Sequence, residues 1–500
     1  MRDAAARFTA SGPEVRGDCI RVEVRAAESA DVAALLAARN GGVVIPGAPA
    51  GPSPADADVP TVWIPDSTAW LTRVRAVDRE AFEAQVTSVA ASPVVLAATE
   101  QVAAGLGGHT IGAAQVNTLL SKVAARQLQV GAVDPRRSTA GLAGAGLLYD
   151  SIATDPTRLV DMVRAYRSIA LSEDQPALLN AAATGAQAVL TSEQRVLVKS
   201  DFSSHAATDG DLSGLAVMSL DPSVTLDYPY AVVSGQPASS LAAAELLRTA
   251  LTGARDLFAR RGFRGPDGST GAAFPTARGV SQAETLVRPL TDAKKITEVL
   301  GYWNATTAPS RVLTLVDVTS SMTRPITKGG PSRLEVLRKA ATDGLGLFTD
   351  DSELGLWAYA AGYQQVVPVS ALTKGQRARL TSAVEAAKAA PTDTCGLYET
   401  VLAAYRSLQD GYKEGRSNTV VVFTDGANSK PGMSLETLQL ELERATDPTR
   451  PVRVVLLGIG LDANKQELDT IAATTGGRAF VVQDPEQIGN IFLQALIRSS

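Results

Sequence analysis

Cysteine and histidine are scarce in this chain, and their scarcity excludes several kinds of site. The 500 residues include two of each, Cys19, Cys395, His109 and His205. Because the two cysteines fall in regions of different composition, a disulfide framework is excluded. A zinc site built from cysteine and histidine has no ligand set here. A histidine-assisted nucleophile has no base beside it in any motif, so hydrolase chemistry has only weak support.

Long apolar runs and a strong charge of one sign are also missing. The apolar stretch from Val452 to Gly460 is interrupted by Arg453, and it is far shorter than the roughly 20 residues that a membrane-spanning helix needs. The net charge is only -5, and no cluster of basic residues alternates with aromatic ones. We therefore expect no membrane span in this chain and no nucleic-acid partner.

Apolar residues, in contrast, are plentiful. They make up 45% of a chain of 500 residues, which is longer than one compact core usually accommodates, so we expect two or more domains. Up to about Phe263, short apolar runs alternate with alanine-rich helical stretches, a rhythm typical of a layered α/β domain. Strands are predicted at Cys19 to Val24, Val62 to Pro65, Val94 to Ala97, Ala188 to Leu190 and Tyr230 to Val233. Helices are predicted at Asp31 to Arg39, Glu80 to Val89, Gln115 to Leu128, Arg158 to Ala170 and Ser240 to Arg260.

Two segments rich in glycine and proline interrupt this rhythm. The segment from Pro46 to Pro60 is predicted to be an exposed loop. The segment from Gly265 to Thr307 is predicted to connect two domains, with a helix near Asp292 to Leu300 that leads into the second. These features divide the chain into a first domain at 1–264, a linker at 265–307 and a second domain at 308–500.

A more regular pattern begins at Arg311. Apolar strands are predicted at Val312 to Val316, Leu354 to Tyr359, Thr419 to Phe423, Val452 to Leu457 and Arg478 to Val482. Helices are predicted at Arg333 to Phe348, Lys374 to Ala389, Leu397 to Leu408, Leu435 to Ala445, Lys465 to Ala473 and Pro485 to Ile497. Strands that are apolar on both faces and are each followed by a helix indicate a mostly parallel sheet covered on both sides.

Polar residues follow the ends of two of these strands. Asp317, Thr319 and Ser321 occupy every second position of one loop, and Asp425 follows another strand, before Gly426. In an open parallel sheet, ligands bind beyond the carboxyl ends of the strands, so these side chains are expected to converge. Carboxylates and hydroxyls without histidine suit a hard cation, and we predict Mg²⁺ or Mn²⁺.

These residues also carry a family resemblance. The segment Asp-Val-Thr-Ser-Ser at 317–321 resembles the Asp-x-Ser-x-Ser signature of the metal-ion-dependent adhesion site in von Willebrand factor A domains. Thr424-Asp425-Gly426 resembles the strand-end Asp-Gly of that family, and Cys395-Gly396-Leu397-Tyr398 resembles its Thr-x-Leu-Tyr segment. The resemblance covers about residues 310–500 and implies a Rossmann-like fold. It also implies a metal held directly by hydroxyls and through water by the aspartates, with a partner protein's carboxylate completing the coordination.

Two departures from the family pattern bear on the metal. Thr319 replaces a serine and keeps the hydroxyl. Cys395 stands where the family has threonine, and its soft sulfur is a poor ligand for a hard cation. Thr394, one residue earlier, is the alternative source of a hydroxyl. Each motif taken alone is also compatible with a helix cap or a turn, so it is the combination that indicates a metal site.

In the first domain, a second family resemblance is carried by the segments 62–70, 92–97, 134–141, 226–230 and 262–264. They resemble segments of the bacterial extracellular solute-binding proteins, which have two α/β lobes and a periplasmic-binding-protein-like fold of type 2. The resemblance implies a cleft between the lobes. There we expect the backbone amides at the start of the helix at Ser138 and Thr139, with the hydroxyls of Ser67 and Ser92, to hold a small anionic solute. The alternative is that Ser67 and Ser138 merely cap helices.

The resemblance also concerns the start of the chain. A domain of this kind begins with a strand that feeds a helix, whereas Arg2 to Phe8 already read as the helix and have no apolar core of a signal peptide. We therefore expect a strand, together with an export signal or membrane anchor, to precede this sequence in the natural protein.

Together, the two resemblances imply a non-enzymatic binding or adhesion protein, extracellular or on the cell surface, of a kind that occurs in actinobacteria. Its second domain would engage a protein partner through the metal, and its first would sense a ligand or act as a scaffold. The alternative is an intracellular adaptor that works beside a separate ATPase or assembly complex. No Gly-x-x-x-x-Gly-Lys loop is present in this chain, so such an ATPase would be another protein.

Overall fold

The computed structural model describes residues 1–45, 58–154, 159–185, 187–198, 215–276, 279–346, 348–426, 428–460 and 463–482. Most of the loop predicted at Pro46 to Pro60 and the helix predicted at Pro485 to Ile497 lie outside these residues. The chain divides into two compact units. The first comprises Met1–Asp155 and Ser168–Trp303, and the second comprises Pro156–Arg167 and Asn304–Ser500.

Helices and short strands alternate through the first three hundred residues, as the sequence rhythm predicts. The helices are α1 Arg2–Ala10, α2 Ser29–Ala38, α3 Thr68–Val77, α4 Glu100–Gly105, α5 Ala113–Ala124, α6 Thr139–Thr154, α7 Leu159–Ser168, α8 Gln175–Thr184, α9 Glu193–Leu197, α10 Ala238–Thr252, α11 Arg255–Arg260 and α12 Ala293–Thr307. The strands are β1 Glu14–Val15, β2 Asp18–Cys19, β3 Val62–Trp63, β4 Thr87–Ser88, β5 Ser92–Thr99, β6 Thr110–Ile111, β7 Gln129–Ala132, β8 Ala170–Leu171, β9 Gln187–Ser192, β10 Leu215–Leu220, β11 Thr225–Leu226 and β12 Pro229–Val232.

Two sheets organise the first unit. The larger has the order β6-β10-β5-β9-β7-β8, with β11 paired to β5, and the smaller has the order β3-β12-β4. Each sheet has its own apolar core: Val95, Val189 and Val217 lie in that of the larger sheet, and Trp63 and Trp70 in that of the smaller. Two sheets with separate cores agree with the predicted two-lobed α/β architecture.

Two predicted elements of this unit are different in the structure. The strand predicted at Cys19 to Val24 is reduced to β2, which pairs with β1, while residues 20–24 have no regular secondary structure. The helix predicted at Glu80 to Val89 is an irregular segment. Its Phe82 forms a bridge with Val233, and β4 pairs with β12. Pairing with a distant strand has overridden the local helical spacing.

The segment predicted as a linker begins with contacts to the first unit. The Arg264 guanidinium, which is buried, donates to the backbone oxygens of Ser281 at 2.6 Å and Ala283 at 2.8 Å. The Thr225 N–H donates to the Arg288 oxygen at 2.9 Å. Residues 265–292 therefore follow the surface of this unit before α12 begins.

A six-stranded sheet forms the centre of the second unit, in the order β15-β14-β13-β16-β17-β18. The strands are β13 Ser310–Asp317, β14 Glu353–Tyr359, β15 Tyr363–Ala371, β16 Ser417–Thr424, β17 Val452–Ile459 and β18 Ala479–Val482. The helices are α13 Arg333–Leu345, α14 Lys374–Ala386, α15 Leu397–Asp410, α16 Leu435–Ala445 and α17 Lys465–Thr474, and a 3-10 turn spans Ser320–Thr323. All neighbouring strands are parallel except β15, which is antiparallel to β14.

The central strands β13, β16 and β17 are buried along most of their length on both faces. Helix α15 covers one face with Val401, Ala404, Tyr405 and Leu408, which share one side of the helix at the spacing of an amphipathic stripe. This confirms the predicted α/β fold with a mostly parallel sheet. Over the residues that the structure describes, no helix has the length and apolarity needed to cross a membrane.

The strand order brings the predicted metal residues to one edge of the sheet. From β13 the chain crosses to β14 on one side, while β16 pairs with β13 on the other side, in parallel register with Val316 opposite Phe423. A crevice forms at such a switch point, beyond the carboxyl ends of the strands. Asp317 and Asp425 therefore leave neighbouring strands at the same edge.

Candidate metal centre

The loop after β13 folds its polar side chains back onto Asp317. The carboxylate of Asp317 is fully buried, and its Oδ1 accepts hydrogen bonds from the Thr319 N–H at 2.9 Å and the Thr319 hydroxyl at 2.7 Å. The Thr319 Oγ1 lies 2.9 Å from the Ser321 Oγ. The alternation predicted from sequence thus brings the carboxylate and both hydroxyls together.

The end of β16 supplies the second side of the site. The Thr424 hydroxyl donates to Asp317 Oδ2 at 3.0 Å and accepts from the Gly426 N–H at 3.0 Å. Asp425 is buried, and its Oδ2 accepts from Arg333 Nη1 at 2.8 Å. Gly426 has a φ of +96°, and a Cβ there would lie 2.7 Å from the Cα of Ala463, so the turn requires glycine.

A third loop, before α15, closes the site. The Ser320 N–H donates to the Thr392 oxygen at 2.9 Å, and the Ser320 hydroxyl donates to Asp393. Cys395 is buried, with its Sγ 3.7 Å from Asp317 Oδ2, whereas Thr394 is half-buried one residue away. Cys395 is thus the residue of this loop whose side chain contacts Asp317.

The site disfavours negative charge on its own groups. Burial raises the pKa of the Asp317 carboxyl, and the nearby charge of Asp425 raises it further. Burial also raises the pKa of the Cys395 thiol, and the neighbouring carboxylates add to this shift, so the thiol is neutral at physiological pH. A cation placed here would relieve the repulsion between the two carboxylates.

The donor set fits a hard cation and depends on hydroxyls. Among the described residues, no group of three or more His, Cys, Asp or Glu side chains could hold a metal ion. The Asp317 carboxylate and the hydroxyls of Thr319 and Ser321 nevertheless meet at one place, where the charge of Asp425 also acts on Asp317. Hydroxyl and carboxylate oxygens are the ligands that Mg²⁺ and Mn²⁺ prefer.

Sequence reasoning missed three neighbours of this site. Thr424 stands directly before the predicted Asp425, so its position at the end of a predicted strand could have identified it as a neighbour of the site. Asp393 stands beside the suspected Thr394. Arg333 is the first residue of α13, where its positive charge is unfavourable because the helix dipole is also positive at that end. A cation at such a position indicates a nearby anionic partner.

The four residues predicted to hold an anion in the first unit have partners within the protein. Ser67 caps α3 by accepting from the Ala69 N–H at 3.2 Å, and Ser138 accepts from the Gly141 N–H at 3.2 Å. Ser92 accepts from the Gln194 N–H at 2.9 Å. The Thr139 hydroxyl donates to Asp66 Oδ1 at 3.1 Å. The helix-cap alternative therefore describes the contacts of Ser67 and Ser138.

Asp66 brings a carboxylate of this chain to the start of α6. It is half-buried, and burial raises its pKa to about 6, while the Thr139 hydrogen bond acts in the opposite direction. Close by, Arg73 Nη2 donates to the Arg136 oxygen at 3.0 Å. The Asp66 carboxylate thus links the segment after β3, in the smaller sheet, to the start of α6.

Two proteins of Mycobacterium tuberculosis are similar in sequence to this chain. They are the uncharacterized proteins MT1884 (strain CDC 1551 / Oshkosh) and Rv1836c (strain ATCC 25618 / H37Rv), each 24% identical over 302 residues. The match covers 58% of this chain and 42% of each relative, so the chain spans about two fifths of their length.

This chain is also similar to some solved structures. The von Willebrand factor type A protein from Catenulispora acidiphila is 18% identical, and the match covers 39% of this chain and 43% of that chain, with a TM-score of 0.32. Proximal thread matrix protein 1 from the mussel byssus, with a zinc-occupied metal-ion-dependent adhesion site, is 16% identical. That match covers 38% of this chain and 47% of that chain, with a TM-score of 0.30.

Two family models match this chain. The von Willebrand factor type A domain matches residues 312–494, and the bacterial extracellular solute-binding protein matches residues 1–264. Von Willebrand factor A domains are commonly metal-dependent protein-interaction modules, and both kinds of domain are typically non-catalytic. This chain therefore belongs to the bacterial extracellular solute-binding proteins and carries a von Willebrand factor type A domain at its C-terminal end.

Proposed function

We propose that this protein is a non-enzymatic binding protein whose von Willebrand factor A domain engages a protein partner through Mg²⁺ or Mn²⁺. The observation that carries the proposal is the cluster at the buried Asp317 carboxylate, which accepts from the Thr319 hydroxyl, with the Ser321 hydroxyl 2.9 Å from Thr319 Oγ1. A bound divalent cation would supply a Lewis-acidic position to which a carboxylate of the partner attaches.

Each residue of this site has a distinct role. Thr319 and Ser321 would bind the cation, with Asp317 and Asp425 supplying the negative charge around it. Thr424 holds Asp317 in place through its hydroxyl, at 3.0 Å from Oδ2. Cys395 occupies the side of Asp317 where a third hydroxyl would be expected, and this weakens the hold on a hard cation.

We further propose that the first unit acts chiefly as a scaffold in an extracellular or cell-surface protein. The Ser92 and Thr139 hydroxyls are engaged inside the protein, which leaves fewer groups for a small anionic solute. The domain limits that we propose are 1–264, 265–307 and 308–500, with residues 265–292 packed against the first unit.

Three alanine variants within one loop test the metal site. Thr319→Ala and Ser321→Ala remove the converging hydroxyls, while Ser320→Ala, the matched control, removes a hydroxyl that points to Asp393. A ligand that binds only the native state raises its stability, so Mg²⁺ is expected to raise the Tm of the wild type and of Ser320→Ala. The Tm of the other two variants should respond much less, and so should that of Asp317→Ala. Equal Mg²⁺ responses in all variants would exclude this site.

A further inference from the structure

A buried ion pair within the candidate metal centre is not explained by metal binding alone. Arg333 Nη1 lies 2.8 Å from Asp425 Oδ2, with the two side chains only 6% and 8% exposed. The guanidinium rests against the backbone at Gly460, where an added Cβ would lie 3.1 Å from Arg333 Nε. A permanent positive charge therefore stands beside a carboxylate that is expected to attract a second cation.

The position of Arg333 is set by the start of its helix. Ser332 and Glu335 form a reciprocal cap: the Ser332 hydroxyl accepts from the Glu335 N–H at 3.2 Å, and Glu335 accepts from the Ser332 N–H at 2.7 Å. The Arg333 N–H donates to the Arg324 oxygen at 2.9 Å. Hydrogen bonds hold both the backbone N–H and the guanidinium of Arg333, so its positive charge has a fixed position in the site.

We infer that Arg333 is a specificity-determining residue whose charge makes cation binding depend on a carboxylate ligand. This inference rests on the proposed function. Asp317 and Asp425 bring two negative charges and Arg333 brings one positive charge. A divalent cation would leave the site with a net positive charge, which one carboxylate from a partner neutralises. Without Arg333, the cation alone would already balance the two aspartates.

The energetic reason lies in burial. Charges that are shielded from water interact several times more strongly than exposed ones, so a guanidinium this close opposes a bare cation. The same positive charge attracts an anionic ligand to the loaded site. Cation and carboxylate therefore strengthen each other's binding, and this coupling is reciprocal.

Mg²⁺ titrations of the full chain test the inference. Binding is measured by calorimetry in sodium chloride and in sodium acetate of the same ionic strength, for the wild type, Arg333→Gln and Arg333→Lys. The control is Arg338→Gln, an arginine of the same helix whose guanidinium donates to the Ala387 oxygen. In chloride, Arg333→Gln should bind Mg²⁺ at least about tenfold more tightly than the wild type.

Acetate should strengthen Mg²⁺ binding to the wild type, Arg333→Lys and Arg338→Gln, and should have little effect on Arg333→Gln. If Arg333→Gln binds Mg²⁺ no more tightly than the wild type, or keeps the full acetate effect, the inference is overturned. Such a result, with Mg²⁺ bound by the wild type and lost in Thr319→Ala, would leave the proposed function standing.

Stability measurements keep the test decisive if Arg333→Gln folds poorly. Removing one partner of a buried ion pair leaves an uncompensated charge, so the Tm of this variant should fall in EDTA. Mg²⁺ should then restore more of its Tm than it adds to the wild type. The double variant Arg333→Gln with Asp425→Asn removes both charges, and it should regain Tm in EDTA while losing the enhanced response to Mg²⁺. An enhanced response that persists in the double variant contradicts the charge argument.

Discussion

At the scale of single residues, one sulfur atom limits the ligands that the candidate metal centre offers to a hard cation. Cys395 is 3% exposed and places its Sγ 3.7 Å from Asp317 Oδ2. Its thiol is neutral because burial and the nearby carboxylates raise its pKa. A neutral thiol contributes neither charge nor a hard ligand atom to a site that is suited to Mg²⁺.

Replacing this sulfur by a hydroxyl should strengthen the site. In Cys395→Thr, an oxygen takes the position beside Asp317, and we expect Mg²⁺ to bind several-fold more tightly because hydroxyls suit hard cations. The measurement is a calorimetric Mg²⁺ titration, with Cys395→Ala as the matched control that removes the sulfur without adding oxygen. Equal affinities for the threonine and alanine variants would show that residue 395 does not contribute to the cation site.

At the scale of elements, one buried ion pair helps to hold the segment after residue 264. Arg264 is 1% exposed, and its Nε lies 2.7 Å from Glu193 Oε1. The same guanidinium donates to the oxygens of Ser281 and Ala283, so it ties residues 265–292 to the first unit. Together with the hydrogen bond from the Thr225 N–H to the Arg288 oxygen, this side chain therefore holds the irregular segment on the first unit.

Removing that side chain should loosen the segment and destabilise the first unit. Arg264→Met leaves Glu193 as a buried unpaired charge, and we expect a loss of about 3–5 kcal/mol in the free energy of unfolding. Limited proteolysis should show new cleavage within residues 265–292. Arg255→Ala, which removes an exposed pair with Asp267, is the control and should cost less than about 1 kcal/mol. A protease-resistant Arg264→Met protein would contradict this account.

Some helices and strands could be predicted from local sequence patterns, and others could not. The central strands of the second unit were predicted within a few residues because continuous apolar runs are typical of strands buried on both faces. Strand β15 was not predicted, since it lies at the sheet edge with most of its side chains exposed and contains Pro368. The segment at Glu80 to Val89 was predicted wrongly because its spacing resembles a helix, although it pairs with β12.

At the scale of the whole molecule, the two units contain separate apolar cores. We therefore expect two transitions in calorimetric unfolding of the full chain. Asp66 belongs to the first unit, and the folded protein holds its proton more tightly than the unfolded chain, because its pKa rises from 3.8 to about 6. The stability that this proton contributes is complete below pH 3.8 and is lost as the pH rises through 6.

Asp66→Asn should make the first unit more stable at neutral pH. Asparagine keeps an acceptor for the Thr139 hydroxyl and carries no charge, so we expect a gain of about 2 kcal/mol at pH 7.5 and little change near pH 4. Only one of the two calorimetric transitions should move, and Mg²⁺ should move the other. Asp256→Asn, at an exposed position of the same unit, is the control. An equal effect of Asp66→Asn at both pH values would disprove the linkage.

The amino-acid sequence by itself determined the two-domain α/β architecture and the clustering of Asp317, Thr319, Ser321 and Asp425. Apolar periodicity and the spacing of residues after a strand are local properties, so they can be recognised without coordinates. The tertiary structure alone decided that Cys395 rather than Thr394 contacts Asp317, that Arg333 neutralises Asp425, and that Asp66 lies at the start of α6. These contacts join residues that are far apart in the chain, and the packing of whole elements, not local spacing, selects them.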